Sequence, residues 1–213
     1  MSALNHPNIV KFLGSDTEKS ILIMEYVENG SLYNLLHGQE TLNWQIRVQI
    51  GLDIGLGLEY LHGKDVIHRD LSSMNVLITH DYRAKLTDFG LSTIKHDIST
   101  VSKTGKGIMG TLLWMAPELM KRSPEKHSFD TDVYSYGIIL WEIASRLIPF
   151  SKLEPHIAMG YVMLGDREEI PESTPTVVST LICRCWDADP KKRPEAKEAV
   201  KALSEQLNRW LKK

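Results

Sequence analysis

Three residues in the first half of the chain carry side chains suited to one piece of chemistry. Asp70 and Asn75 lie in His68-Arg69-Asp70-Leu71-Ser72-Ser73-Met74-Asn75, and Asp88 follows in Asp88-Phe89-Gly90. An Asn amide oxygen and an Asp carboxylate are hard donors that suit Mg²⁺ beside phosphate oxygens and water. A second carboxylate, Asp70, can orient a hydroxyl and accept its proton. Those are the parts that phosphoryl transfer asks for, because the reaction depends on positioning and charge neutralisation rather than on covalent catalysis. One such Asp or Asn alone reads as an ordinary turn residue. The set in one order, with Ala116-Pro117-Glu118 downstream, is far more specific.

Stepping outward from these residues, the hydrophobic pattern says what must hold them. Ile9 to Leu13 and Ile21 to Tyr26 are short branched runs separated by Gly14-Ser15-Asp16, a pattern for two antiparallel strands and a turn. A short helix is expected around Leu32 to Leu36. Asn43 then offers an N-cap to a long helix that keeps apolar spacing through Ile46, Ile50, Ile54, Leu58 and Leu61 and ends near His62 at Gly63. Val76-Leu77-Ile78 and Ala84-Lys85-Leu86-Thr87 read as small strands around a turn at His80-Asp81. The stretch from Ser92 to Gly110 reads as a mobile loop. Asp132 to Ser145 is apolar on nearly every face, which marks a buried central helix. Further helices are expected near 155–164, 177–186 and 196–211, punctuated by Pro171, Pro175, Pro190 and Pro194. The fold class is α+β, dominated by helix.

Composition narrows the function classes. The chain has 213 residues, 42% hydrophobic and 24% charged, with a net charge of −2. That is ordinary for a globular protein and argues against binding nucleic acid through a broad basic surface. No apolar run is long enough to span a bilayer, and the start lacks a secretory pattern. Cys183 and Cys185 alone make a poor zinc site and read as reduced thiols, so the cytoplasm is the expected compartment.

From Met1 to about Trp210 the chain resembles a eukaryotic protein kinase domain, most closely the tyrosine-kinase-like group. The resemblance rests on His68-Arg69-Asp70 with Asn75, on Asp88-Phe89-Gly90, on Ala116-Pro117-Glu118 and on Asp189-Pro190-Lys191-Lys192-Arg193-Pro194. It implies a kinase-like fold with a mostly helical large lobe over 28–213 and a remnant of the small lobe over 1–27. It implies ATP and Mg²⁺ as cofactors, protein substrates, and γ-phosphate transfer to Ser or Thr in signalling. Asp70 matches the catalytic Asp, and Asn75 and Asp88 match the metal ligands. Met24 matches the residue behind the adenine ring; backbone groups of Glu25 and Val27 would bond adenine, and Leu77 would pack on its face. His68 matches a packing residue stacked on Phe89, not a base, and with Phe12 these form most of a regulatory spine, Met1 standing at its remaining member. Glu118 would pair with Arg193, and Asp132 would bind the backbone of the catalytic loop.

The same resemblance marks Arg69 as the partner of a phosphate on the loop, with Ser99, Thr100, Ser102 and Thr104 as acceptors. Thr111 is of the serine/threonine type. Ser72 departs from the pattern: serine/threonine kinases carry Lys there, and the tyrosine kinases' Arg-containing alternatives are absent too, so dual specificity stays open. A second departure is at the start. Met1 to Val10 resembles the stretch from the end of the αC helix into the following strand, so the Gly-rich loop, the strand Lys and the αC Glu are expected upstream of Met1. On that reading residues 1–213 alone would bind ATP weakly, would transfer phosphate barely above background, and would need a partner covering the truncated small lobe. The alternative function is a catalytically inactive kinase fragment acting as an interaction module.

Overall fold

In the computed structural model, residues 4–16, 18–19, 21–89, 112–121 and 126–212 are described. The chain enters through Asn8 to Val10, which does not form the first half of a hairpin strand as its composition suggests. Instead Val10 N–H donates to the Leu86 carbonyl at 2.9 Å and Leu86 N–H to the Asn8 carbonyl at 2.9 Å. The hairpin strand β1 begins later, at Phe12–Asp16, and pairs antiparallel with β2, Ile21–Met24, across a register shift between Phe12 and Gly14. Gly14-Ser15-Asp16 is therefore strand and not turn. The Asp16 carboxylate instead accepts the backbone N–H groups of Glu18 and Lys19, each at 3.1 Å, which moves the turn past it.

A short helix α1, Leu32–His37, is capped by Ser31, and α2, Trp44–His62, is capped by Asn43, whose side chain accepts the Ile46 N–H at 2.9 Å. Gly63 ends α2 without turning left-handed; its N–H returns to the Glu59 carbonyl. Strands β3, Val76–Ile78, and β4, Ala84–Leu86, form a second antiparallel pair. The pair is anchored on α2 from below, where buried Asp53 binds Arg83 through both oxygens at 2.7 Å and accepts the Ala84 N–H at 3.0 Å.

The central helix α3 spans Phe129–Ser145, starting three residues before the apolar run. Ser128 and Thr131 close a reciprocal cap that draws Phe129 to Thr131 into the helix. Its buried face is nearly continuous, with Tyr134, Tyr136, Ile139 and Trp141 at most 2% exposed. At its other end Arg146 turns left-handed and donates to the carbonyls of Leu36 at 2.9 Å and Gly38 at 3.0 Å, so it caps α1 as well as ending α3. Helices α4, Pro155–Leu164, α5, Thr176–Cys185, and α6, Ala196–Leu211, complete the body. α6 lies along α2, and α5 lies against α3 closely enough that a Cβ on Gly137 would sit 2.7 Å from Cys185 Cβ. No helix of the described residues is long and apolar enough to cross a membrane.

Candidate active site

The loop that carries Asp70 is tied to the central helix at its base. Asp132, in the first turn of α3 and 1% exposed, accepts the backbone N–H of His68 at 2.7 Å and of Arg69 at 2.9 Å. His62, at the end of α2, contacts the same carboxylate at 3.0 Å and stacks on Phe129 with ring centroids 4.3 Å apart. Charge-assisted bonds to two successive amides hold the chain in a conformation it would not choose alone. Arg69 has φ of 72° and Asp88 has φ of 60°, both in the left-handed region that side chains disfavour.

Beyond Asp70 the chain folds back in a tight turn. Asn75 Nδ2 donates to the Asp70 carbonyl at 2.6 Å, and Asn75 N–H to the Ser72 carbonyl at 3.0 Å. Thr87 N–H donates to the Asn75 carbonyl at 3.0 Å, which brings the Asp88 segment alongside. Since the Asn75 amide nitrogen is spent on Asp70, its oxygen Oδ1 is the atom left for a cation. That oxygen and the Asp88 carboxylate make an all-oxygen donor set, which suits a hard divalent ion.

His68 is fully buried, and burial pushes its pKa down against the opposing pull of Asp132, Asp70, Asp88 and the Thr87 backbone. Its ring meets Phe89 edge-on, with centroids 6.3 Å apart at 70°, and not in the stacked geometry expected. Burial keeps the ring from a substrate and disfavours its protonation, which makes it a poor base and agrees with a packing role. Phe12 and Phe89 line one small cavity together with Met24 and Asp88. Ser72 is completely buried, and its hydroxyl has no hydrogen-bond partner among the described residues.

The expected adenine-side residues fall between the two sheets. Met24 ends β2 at 42% exposure, with its sulfur 4.0 Å from the Thr87 hydroxyl. Glu25 N–H donates to the Lys11 carbonyl at 2.9 Å, while its carboxylate binds Lys85 Nζ at 2.7 Å and accepts the Lys11 N–H at 2.8 Å. The Lys85 and Lys11 contacts lower the Glu25 pKa against its partial desolvation. Among the described residues, the Glu25 carbonyl and the Val27 N–H take no backbone partner. Val27 is buried, and Leu77 is half-buried in the middle of β3. No spacing rule in the sequence points to the Glu25–Lys85 bridge, because it joins the residue after β2 to a strand of the other sheet.

On the opposite side, the turn Leu112–Trp114 leads into Pro117–Leu119. Glu118 pairs with Arg193 as the motifs imply, Nη1–Oε1 at 2.6 Å and Nη2–Oε2 at 2.8 Å. Asp70 and Arg69 share a cavity of about 50 Å³ with Trp114, Met115 and Ser135. The expectations placed on Met1, Gly90, Ser99, Thr100, Ser102, Thr104, Gly110 and Thr111, and on the loop from Ser92 to Gly110, lie outside the described residues.

Comparison with known proteins decides the family. The model of the protein tyrosine and serine/threonine kinase family matches residues 1–203. The chain belongs to that family. Among its relatives, the serine/threonine/tyrosine-protein kinase HT1 of Arabidopsis thaliana is 38% identical over 208 residues, covering 95% of this chain and 52% of that protein. The probable serine/threonine-protein kinase drkC of Dictyostelium discoideum is 40% identical over 95% of this chain and 28% of its own length. The serine/threonine-protein kinase CTR1 of Arabidopsis thaliana is 39% identical over 91% of this chain and 24% of its own length. HT1 and CTR1 are of the tyrosine-kinase-like type, the group the motifs resemble. This kinase chain thus spans about half the length of the first relative and about a quarter of the other two. Kinases of this family use ATP and a divalent metal and act on proteins.

Proposed function

We propose that this kinase chain carries the phosphoryl-transfer centre of an ATP-dependent protein kinase acting on Ser and Thr hydroxyls in signal transduction, in the cytoplasm. The observation that carries the reading is the knot at Asp132: one buried carboxylate holds the two amides immediately before Asp70, while Asn75 holds the carbonyl of Asp70 itself. Asp70 is thereby fixed from both sides. Such rigidity is what a group needs if it is to orient a hydroxyl for in-line attack and receive its proton late in the transfer.

In this reading Asn75 Oδ1 and the Asp88 carboxylate hold Mg²⁺. The cation with ATP supplies charge neutralisation on the phosphate oxygens. The Glu25 carbonyl and the Val27 N–H meet the adenine edge, Leu77 covers its face and Met24 stands behind it. Ser72 contributes no positive charge, so the γ-phosphate relies on groups other than the residue two after Asp70. Phosphoamino-acid analysis of acceptor protein labelled from γ-labelled ATP tests the assignment: phosphoserine and phosphothreonine are expected, and phosphotyrosine as the sole product overturns it.

A second reading is supported by the β1–β2 ribbon. Leu13, Ile23 and Tyr26 are 57%, 51% and 83% exposed, and Ile21, Leu22 and Met24 are exposed beside them. Apolar surface of that kind favours a covering partner, and with it a role as a non-catalytic interaction module. Phosphate transfer abolished by Asp70→Asn excludes this second reading.

A further inference from the structure

One buried carboxylate outside the candidate metal ligands remains without a role in the mechanism above. Glu142 lies on the fourth turn of α3, is wholly buried, and gathers donors from three separate parts of the chain. The Ser73 hydroxyl donates to its Oε1 at 2.7 Å, His37 Nε2 reaches the same oxygen at 2.9 Å, and the Trp114 indole N–H donates to Oε2 at 3.0 Å. A buried carboxylate is costly unless its lone pairs are met, and here both oxygens are. The Trp114 backbone is held to the same helix, since Ser135 Oγ donates to its carbonyl at 2.8 Å.

What these donors belong to gives the cluster its meaning. Ser73 stands between Asp70 and Asn75, inside the turn closed by the bond from Asn75 to the Asp70 carbonyl. Trp114 lies in the stretch ending in Ala116-Pro117-Glu118, which resembles the peptide-binding end of a kinase activation segment and so belongs to the acceptor side in this reading, and it shares a cavity wall with Asp70. His37 ends α1, which packs beneath β3. Two walls of the gap that an acceptor side chain must enter are therefore fastened to one rigid group.

We propose that Glu142 is a positioning residue that sets the separation between the Asp70 loop and the acceptor-side turn at Trp114, with His37 as the N–H donor that completes its shell. This rests on the assignment of Asp70 made above. The carboxylate accepts three bonds and donates none. Glutamine at 142 keeps the shape but removes the charge that strengthens all three bonds; with its carbonyl toward the Trp114 N–H, its N–H₂ faces Ser73 and His37, which must then accept instead of donate, so the hold on the two walls is weakened. Misplacement by a fraction of a bond length at such a gap lowers transfer steeply, on the order of 10–100-fold. Nucleotide contacts on the other side of Asp70 are left alone.

The test is a double-mutant cycle of Glu142→Gln and Trp114→Phe in the full-length protein, with steady-state kinetics on a peptide acceptor and hydrogen exchange read over 70–75 and 112–116. The expected result is a roughly tenfold or greater fall in kcat/KM for peptide in each single variant, a double variant no worse than the worse single, an unchanged KM for ATP, and faster exchange in both segments. His37→Gln, which keeps an N–H near the Nε2 position, is expected to retain most activity where His37→Ala loses it. Additive losses, an equal rise in the KM for ATP, or exchange that changes in one segment only would overturn the proposal. If the unaltered protein transfers phosphate to no peptide, the assignment of Asp70 falls by itself, and the exchange data decide the coupling independently. Should Glu142→Gln fail to fold, the His37 pair carries the same comparison.

Discussion

Arg193 grips Glu118 with two parallel bonds, at 2.6 and 2.8 Å, and the two side chains are 0% and 4% exposed. The guanidinium also lies 5.0 Å over the Tyr134 ring and donates to the carbonyls of Asp187 and Asp130, both at 2.9 Å. Four of its five N–H groups are matched by hydrogen bonds, and near-complete matching is the condition under which a buried pair is tolerated. The bond joins the segment after Trp114 to the turn that precedes α6.

Breaking this pair strands a charge. Glu118→Gln or Arg193→Met is expected to cost about 3–5 kcal/mol of stability. The pair Arg184–Glu198 at 2.8 Å is 48% and 46% exposed and is the control: Arg184→Met should cost at most about 1 kcal/mol. Urea denaturation midpoints measure both, and similar losses from the two would contradict the role given to burial.

The two acidic residues of the candidate centre should separate by nucleotide affinity. In the full-length protein, Asp70→Asn is expected to lower turnover by about 10²–10⁴-fold while nucleotide affinity stays near normal. Asp88→Asn is expected to weaken Mg²⁺-dependent nucleotide binding as well, because it removes a charged cation ligand. Calorimetric titration beside a turnover assay tells them apart. Normal turnover by the Asp70 variant would refute its assignment.

Stability should carry a histidine signature in mild acid. Burial lowers the His68 pKa from the ordinary value of 6.5, so the folded chain keeps this ring neutral where the unfolded chain protonates it. The unfolded state then binds more protons, and the unfolding free energy falls as pH drops from 6.5 toward the lowered folded value, by at most about 1.4 kcal/mol per pH unit, and is flat above that window. His68→Leu should flatten the profile. Thermal denaturation at a series of pH values reads the slope, and an identical slope in the variant would remove His68 as its source.

Two helical glycines should respond in opposite directions to a methyl group. At Gly137 an added Cβ would lie 2.7 Å from Cys185 Cβ and 3.1 Å from its backbone, so Gly137→Ala must push α5 from α3 and is expected to cost about 1–3 kcal/mol. At Gly160 no atom lies within 4 Å, and Gly160→Ala should stabilise by up to roughly 1 kcal/mol through helix propensity. A shift of melting temperature in the same direction for both would count against the packing of α5 on α3.

Much of this architecture could be read from local pattern. α2 runs from the Asn43 cap to His62 as its spacing predicts, and α4 and α6 match their expected bounds. Those helices are amphipathic or capped by their own neighbours, so the signal is local. The errors lie where a distant partner decides. Ile9 and Val10 look like hairpin strand, but Leu86 claims their backbone. Phe129 is polar-flanked and its surroundings place it outside the apolar run of the central helix, yet the Ser128–Thr131 cap starts the helix at Phe129. Asp132, Glu118 and Arg193 fall where the family motifs place them. Glu142 and Asp53 do not stand out, because a carboxylate on a helix looks solvated until the donors that bury it are brought from elsewhere in the chain.

The left-handed backbone at Arg69 and Asp88 sets two kinds of selection against each other. Glycine adopts that geometry freely, whereas a residue with a side chain sits there at a cost of roughly 1–2 kcal/mol. A variant library screened only for heat resistance should therefore drift toward glycine at 69 and 88, discarding the guanidinium and the carboxylate together with the strain. A library screened for turnover should keep both and accept a lower melting point. In this chain, thermal tolerance and chemistry are alternatives at the same two positions.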